Sequence, residues 1–155
     1  LAGGLPIALA GLLLRARAAG HIRKNDVLAT SGPYRFTRNP LYLGSILLGA
    51  GFVIAAHAWV LAVLATAMLV GIYIPVIREE ERYLTARFGN DFEAYRTRVP
   101  RLLPRLWPAA GSASGRFSIA LYRRHREYNA LLGFAALTAV LLVKLAVPGW
   151  AVIPW

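Results

Sequence analysis

Residues 41–77 read LYLGSILLGAGFVIAAHAWVLAVLATAMLVGIYIPVI, a run with no charged side chain and with His57 as its one markedly polar residue. As a single straight helix it would extend roughly 55 Å at about 1.5 Å per residue. The hydrocarbon core of a bilayer is only about 30 Å thick, and tilt does not absorb the difference. Two antiparallel spans, 41–56 and 58–77, with a turn at Ala56-His57-Ala58, fit the length. Trp59 beside that turn suits the membrane–water interface, where amphipathic rings collect.

Outward from this hairpin the chain turns polar and basic on both sides. Segment 15–40 carries six Lys and Arg residues and segment 78–127 carries eleven, 17 of the 18 in the chain. The two segments flank an even number of spans, so they lie on one side, and their positive charge makes that side cytoplasmic. Residues 1–14 are apolar but short of the roughly 20 residues of a full span. Residues 128–147 form another span, with Lys144 placed to snorkel. The expected fold is a single-domain, all-α, multi-pass integral membrane protein over 1–155. It has about four transmembrane helices (roughly 1–14, 41–56, 58–77 and 128–147), a tight hairpin and a small cytoplasmic helical cap.

Within the cap, Ile77–Phe88 reads as a helix ended by Gly89. Asn90 is placed to cap a short second helix with Glu93 three residues on, and Val99-Pro100 ends it. Pro104 and Pro108 keep the following chain extended, and Ser112–Gly115 reads as a flexible link. The chain opens at Leu1 without a methionine, which reads as a native N-terminus missing or processed. Leu1–Leu14 lacks the basic n-region of a signal peptide.

Composition narrows the chemistry. The chain is 57% hydrophobic with a mean hydropathy of +0.51, yet carries a formal charge of +11. A soluble nucleic-acid binder has no need of long apolar runs beside its charge, so nucleic acid is not expected as a partner. There are no cysteines, which excludes disulfides and thiolate ligands. His21, His57 and His125 show no metal-ligand spacing, so no metal is expected. Nor is there a strand, glycine-rich turn and helix of the kind that binds nucleotides in soluble enzymes.

The residues able to do chemistry sit at the two cytoplasmic ends of the hairpin. One group is Gly32-Pro33-Tyr34-Arg35-Phe36-Thr37-Arg38-Asn39-Pro40-Leu41-Tyr42-Leu43-Gly44. The other is Glu79-Glu80-Glu81-Arg82-Tyr83-Leu84, then Phe88-Gly89, then Tyr95 through Pro104. In order and spacing these resemble the isoprenylcysteine carboxyl methyltransferase and phospholipid methyltransferase superfamily. The shared pattern is an aromatic, Arg-His-Pro or Arg-Asn-Pro, x-Tyr-x-Gly, an apolar hairpin, Glu-Glu-x-x-Leu, Phe-Gly and Val-Pro-Arg-x-x-Pro. It runs here from about Asp26 to Pro104.

The resemblance implies S-adenosylmethionine-dependent methyl transfer to a lipid or lipophilic small molecule, at a site facing the cytoplasm. It implies a cofactor site lined by Asp26, Val27, Leu28, Ala29, Tyr34, Asn39, Pro40, Leu41 and Tyr42, with Glu80 meeting the cofactor and Glu81 beside it. The chemistry agrees: aromatic faces favour a cation such as a sulfonium, and a carboxylate can accept from ribose hydroxyls or an ammonium. Arg38 or Arg98 can pair with the cofactor's carboxylate through a bidentate fork. Arg38, Glu80, Glu81 and Arg98 are thus the candidate catalytic set.

Two positions depart from the pattern. The histidine before proline is Asn39, which hydrogen-bonds but does not titrate. The arginine implicated in the acceptor site of the prenylcysteine enzymes is Val76, and Arg78 is rotated about 200° away on a helix. The acceptor therefore stays open among carboxylate, amine, phenol and thiol.

Plainer readings stand beside these. Arg38 can be a positive-inside anchor, Tyr42 an interfacial belt residue, and Glu79–Glu81 a solvated helix start. His57 reads as a turn residue, and Arg123-Arg124-His125-Arg126 as a stop-transfer and anionic-lipid patch. Rival functions are a phospholipid or amine N-methyltransferase, a non-catalytic membrane protein, and an NADPH-dependent sterol-type reductase. In the last, the residue after Gly44 would commonly be acidic, where this chain has Ser45.

Overall fold

The computed structural model describes residues 1–22, 27–111 and 115–147, with Val70 described by its backbone alone. Among these residues the structure is all-helical. The N-terminal helix, α1 (Gly4–Ala19), packs antiparallel on α2 (Pro40–Ala56) along a seam of small residues. Gly4, Ala8 and Gly11 are buried on one side, and Gly44, Gly51 and Ala55 on the other. The glycines recur every seven residues, so they stay on one face. A Cβ added at Gly11 would fall on the Gly44 carbonyl, and one at Gly51 on the backbone of Ala8. In a lipid-like surrounding such close backbone approach is what brings helices together.

The structure carries α1 past the expected end at residue 14, through Arg15 and Arg17. The charge of Arg15 is accommodated because it turns across the bundle to Glu127.

The hairpin turns where expected. His57 is left-handed (φ 55°, ψ 34°), and α2 ends at Ala56. The His57 and Ala58 N–H groups donate back to the carbonyls of Ile54 and Val53 at 3.3 and 3.2 Å, the pattern that closes a helix at a left-handed residue.

The returning arm differs from expectation. Helix α3 (Trp59–Met68), a π-helical turn (Leu69–Tyr73) and α4 (Ile74–Phe88) follow without interruption. Together they make one helix of 30 residues, with no break at Ile77. Pro75 lacks an N–H, and its ring crowds the carbonyl four residues back. The widened π turn takes up that defect, and the helix continues to the glutamates.

Gly89 (φ 49°) ends α4, its N–H 2.9 Å from the Thr85 carbonyl. Gly89, not Asn90, is also the N-cap of α5 (Asn90–Arg98). The expected capping box does not form, because the left-handed glycine turns the chain one residue earlier. Val99 is extended and ends α5. A short α6 (Ile119–Arg124) leads into α7 (Tyr128–Ala146). Of the expected link, Ser112–Ser114 lies outside the described residues.

Among the described residues two helices are long and apolar enough to cross a membrane, Trp59–Phe88 and Tyr128–Ala146; Pro40–Ala56 is apolar but shorter. Neither α3 nor α7 has a buried residue. Apolar helices without a protein covering fit a bilayer rather than water. A hydrophobic cluster holds the cap together, where Phe92, Tyr95, Val99 and Ala109 pack with Leu28, Leu84 and Phe88.

Candidate active site

Two loops that lie far apart in sequence are fastened together at the foot of α2. The Arg38 N–H donates to the Pro100 carbonyl at 2.9 Å, and Asn39 Nδ2 to the Arg101 carbonyl at 2.9 Å. Thr37 Oγ1 lies 3.1 Å from the carbonyls of both Arg101 and Leu102. Farther out, the Arg105 and Ala109 N–H groups donate to the carbonyls of Phe36 and Arg35 at 2.9 and 3.1 Å. The Arg-Asn-Pro and Val-Pro-Arg motifs are therefore two halves of one clasp. Pro40 at the first turn of α2 suits its fixed φ and missing N–H. Asn39 reaches the clasp and makes no side-chain cap.

The glutamate helix joins the clasp through Glu81, which is 8% exposed. Arg101 Nη2 lies 2.7 Å from Glu81 Oε2, and Arg101 Nε adds a second contact at 3.1 Å. Arg38 Nη1 approaches Glu81 Oε1 at 3.2 Å. That approach is ionic without hydrogen-bond alignment, because Arg38 Nε and Nη1 are both buried and have no hydrogen-bond partner. Burial lowers the pKa of Arg38 against the raising effect of Glu81, whereas the hydrogen bond to Glu81 raises that of Arg101.

Beside the clasp lies a cavity of about 490 Å³, within the size range of small-molecule sites. Val27, Leu28, Ala29, Tyr34, Arg38, Asn39, Pro40, Leu41, Tyr42, Glu80 and Glu81 all line it. The structure thus brings together around one space nearly every residue singled out from the sequence. Glu80 accepts a hydrogen bond from the Tyr42 hydroxyl at 3.2 Å, and Tyr73 stands edge-on to Tyr42 with ring centroids 5.5 Å apart. Tyr34 is buried, and its carbonyl accepts from the Tyr95 hydroxyl at 2.7 Å. Burial, and secondarily Glu80, pushes the Tyr34 hydroxyl pKa far above the usual range. Burial also raises that of Tyr95, against the lowering effect of Arg38.

Two of the singled-out residues are not among these. Asp26 lies outside the described residues. Arg98 does not line the cavity. Its Nε donates to the Ala94 carbonyl at 2.8 Å and its Nη1 to the Ala110 carbonyl at 3.0 Å, on the outer face of α5. It holds the end of a helix.

The cavity also has walls that sequence reading missed, among them Arg15, Tyr73, Phe92 and Glu127. Arg15 grips Glu127 with Nη2 at 2.8 Å and Nε at 3.1 Å, and its Nη1 donates to Ser45 Oγ. Its stem lies over Gly44, where a Cβ would strike it. Glu127 carried a legible signal as a lone acid behind Arg123, Arg124 and Arg126. Tyr73 precedes Glu80 by two helical turns and so shares its face.

A second, apolar cavity of about 300 Å³ lies between α2 and α3 and shares Ser45 and Tyr73 with the first. Among the described residues no group of three or more acidic or histidine side chains is placed to hold a metal ion.

Comparison with known proteins gives this geometry a context. Residues 17–91 match the phospholipid methyltransferase family. The cobalt-zinc-cadmium resistance protein CzcN of Cupriavidus metallidurans is 39% identical over 105 residues, 66% of this chain and 47% of that protein. Protein-S-isoprenylcysteine O-methyltransferase of Schizosaccharomyces pombe is 32% identical over 81 residues, 52% of this chain and 34% of the enzyme. Methanethiol S-methyltransferase 1 of Bradyrhizobium diazoefficiens is 37% identical over 73 residues, 46% of this chain and 24% of the enzyme. The chain spans less than half the length of each of these relatives. No solved structure matches it at a comparable significance. Over residues 17–91 this chain is therefore similar to the phospholipid methyltransferase family, and the relatives it resembles include an isoprenylcysteine methyltransferase.

Proposed function

We propose that the chain is a membrane methyltransferase that takes its methyl group from S-adenosylmethionine and delivers it to a lipophilic acceptor. The observation that carries this reading is the one cavity in which Glu80, Tyr34, Tyr42 and Arg38 meet from both motif segments. Its residues fit the cofactor. Arg38 has two buried N–H-bearing nitrogens without a hydrogen-bond partner, suited to a carboxylate. Glu80 offers acceptor oxygens to an ammonium or to hydroxyls, and the tyrosine rings offer faces to a cation. Val27, Leu28, Ala29, Asn39, Pro40 and Leu41 would line the cofactor site as well, and Asp26 belongs to the same proposed segment.

When bound, S-adenosylmethionine supplies an electrophilic methyl carbon on a sulfonium. The protein's share is then mainly positioning, since transfer requires an in-line approach. Glu81 neutralises Arg38 and Arg101 and so holds the clasp rather than the cofactor. Ser45 and Tyr73 stand where the two cavities meet, which suits an acceptor whose apolar part lies between α2 and α3. In this reading α1, α2, the α3–α4 helix and α7 make up a single bilayer-embedded domain. The cap and its site then face the cytoplasm, on the side of the basic segments.

The test is direct. The reconstituted chain is incubated with methyl-tritiated S-adenosylmethionine and a membrane lipid extract, and the organic phase is counted. Label should enter a lipophilic product, and Glu80→Gln should abolish most of it. Label confined to water-soluble products would contradict the acceptor class.

A further inference from the structure

Leu106, Leu103 and Trp107 are 88%, 81% and 78% exposed, the most exposed large apolar side chains among the described residues. They do not belong to a loosely held loop. The backbone around them is fixed to residues 35–39 by the bonds from Arg105 to Phe36, from Ala109 to Arg35 and from Thr37 to Leu102. Residues 35–39 run directly into Pro40, the first residue of α2. The loop therefore lies at the level where α2 leaves the cap, beside the end of an apolar helix.

We propose that Leu103, Leu106 and Trp107 form a membrane anchor that inserts into the headgroup region of the leaflet next to the cap. The proposal rests on the reading of the apolar helices as bilayer-embedded. Tryptophan prefers that region because its ring is apolar while its N–H keeps a polar partner. The flanking Arg105 is exposed, and the face of its guanidinium not turned to the Arg98 carbonyl suits a lipid phosphate. Irregular backbone is costly near lipid only where its polar groups lack partners. Here Pro104 and Pro108 have no N–H, and the N–H groups of Arg105 and Ala109 are already bonded.

The anchor also reaches the site. Arg101, at the start of the same loop, grips Glu81 and offers its carbonyl to Asn39. Lipid contact at residues 103–107 would thus fix one wall of the cavity at the bilayer surface.

The chain contains no cysteine, so single-cysteine variants of the full chain can each carry one environment-sensitive fluorophore. Three positions serve: Leu106→Cys in the loop, Leu137→Cys midway along α7, and Ala94→Cys on the exposed face of α5. Labelled proteins are placed in phospholipid nanodiscs containing nitroxide lipids. The Leu106→Cys label should emit to the blue of the Ala94→Cys label and be quenched by a nitroxide high on the acyl chain. The Leu137→Cys label should respond most to a deep nitroxide. Water-like emission at 106 with quenching by iodide would overturn the anchor. So would blue-shifted emission that no nitroxide lipid quenches, which would mean that protein, a second copy or another chain, covers the loop. If Leu137→Cys also escapes every nitroxide lipid, the membrane reading itself fails.

Discussion

Glu80 and Glu81 are neighbours in different surroundings, and the difference lies in their partners. Glu81 is enclosed by Arg38 and Arg101, whereas Glu80 accepts a hydrogen bond from Tyr42 at the cavity. Glu81→Gln leaves Arg38, with a side chain only 9% exposed, without its counter-charge. It should cost roughly 3 kcal/mol of stability, read as a lower thermal midpoint in detergent. Glu80→Gln should leave that midpoint alone while weakening S-adenosylhomocysteine binding about tenfold, the scale of one hydrogen bond to a charged group.

The buried tyrosines add a pH dependence. Burial raises the folded-state pKa of Tyr34 and Tyr95 above the unfolded value of about 10. The folded form then holds a proton that the unfolded form releases, so stability is full below about pH 10 and falls as pH rises above it. Alkaline titration of the thermal midpoint should show that fall, and Tyr95→Phe should reduce its slope; an unchanged slope would mean the tyrosine is not the source. At this scale sequence reading found the cavity-facing motif residues because their types and order carry the chemistry. It assigned Arg98 to the cofactor because arginines look alike in one dimension; only the fold shows its donors turned to Ala94 and Ala110. It missed Arg15 and Glu127, whose partnership spans 112 positions.

Among the elements, the α1–α2 seam decides how the site is held. Gly51→Ala would place a methyl group on the backbone of Ala8, with no flexible side chain to give way. A loss of roughly 1–3 kcal/mol is expected, as for overpacking elsewhere. Gly49→Ala, on the same helix with nothing within 4 Å of the new Cβ, is the control and should change little. Thermal unfolding of the two variants side by side separates close packing from helix propensity; equal effects would contradict the seam. The hairpin turn was legible because His57 interrupts an apolar run of twice the span length. The continuity of Trp59–Phe88 was not, because the polar shift at Arg78 looks like a helix boundary, while the backbone runs on through the π turn before Pro75. The start of α5 was misread by one residue because Asn90 is a better cap by composition than the left-handed Gly89 that performs the turn.

Across the whole molecule, one ion pair ties three helices at the cavity's edge. Arg15 from α1 holds Glu127 at the foot of α7 and Ser45 on α2. Helix α7 has no buried residue of its own, so this tie and the Phe52–Phe134 ring contact at 5.5 Å are its notable specific attachments. Arg15→Met leaves Glu127, 8% exposed, without its cation and should destabilise the protein by roughly 3 kcal/mol. The double variant Arg15→Met with Glu127→Met should regain much of that loss. Arg17→Met, exposed on the same helix, should be neutral.

The long apolar helices were legible from composition and hydropathy. The meeting of the two motif segments was legible from the hairpin that separates them. The hydrogen-bonded clasp between Arg38-Asn39 and Pro100-Arg101 was not, since it depends on backbone carbonyls that carry no sequence signature. The central claim is that this clasp borders a methyl-donor site. Calorimetric titration of the detergent-purified chain with S-adenosylhomocysteine, with NADPH as the comparison, tests it most directly. Saturable binding of S-adenosylhomocysteine alone is the predicted result, and binding of NADPH alone, or of neither, would contradict it.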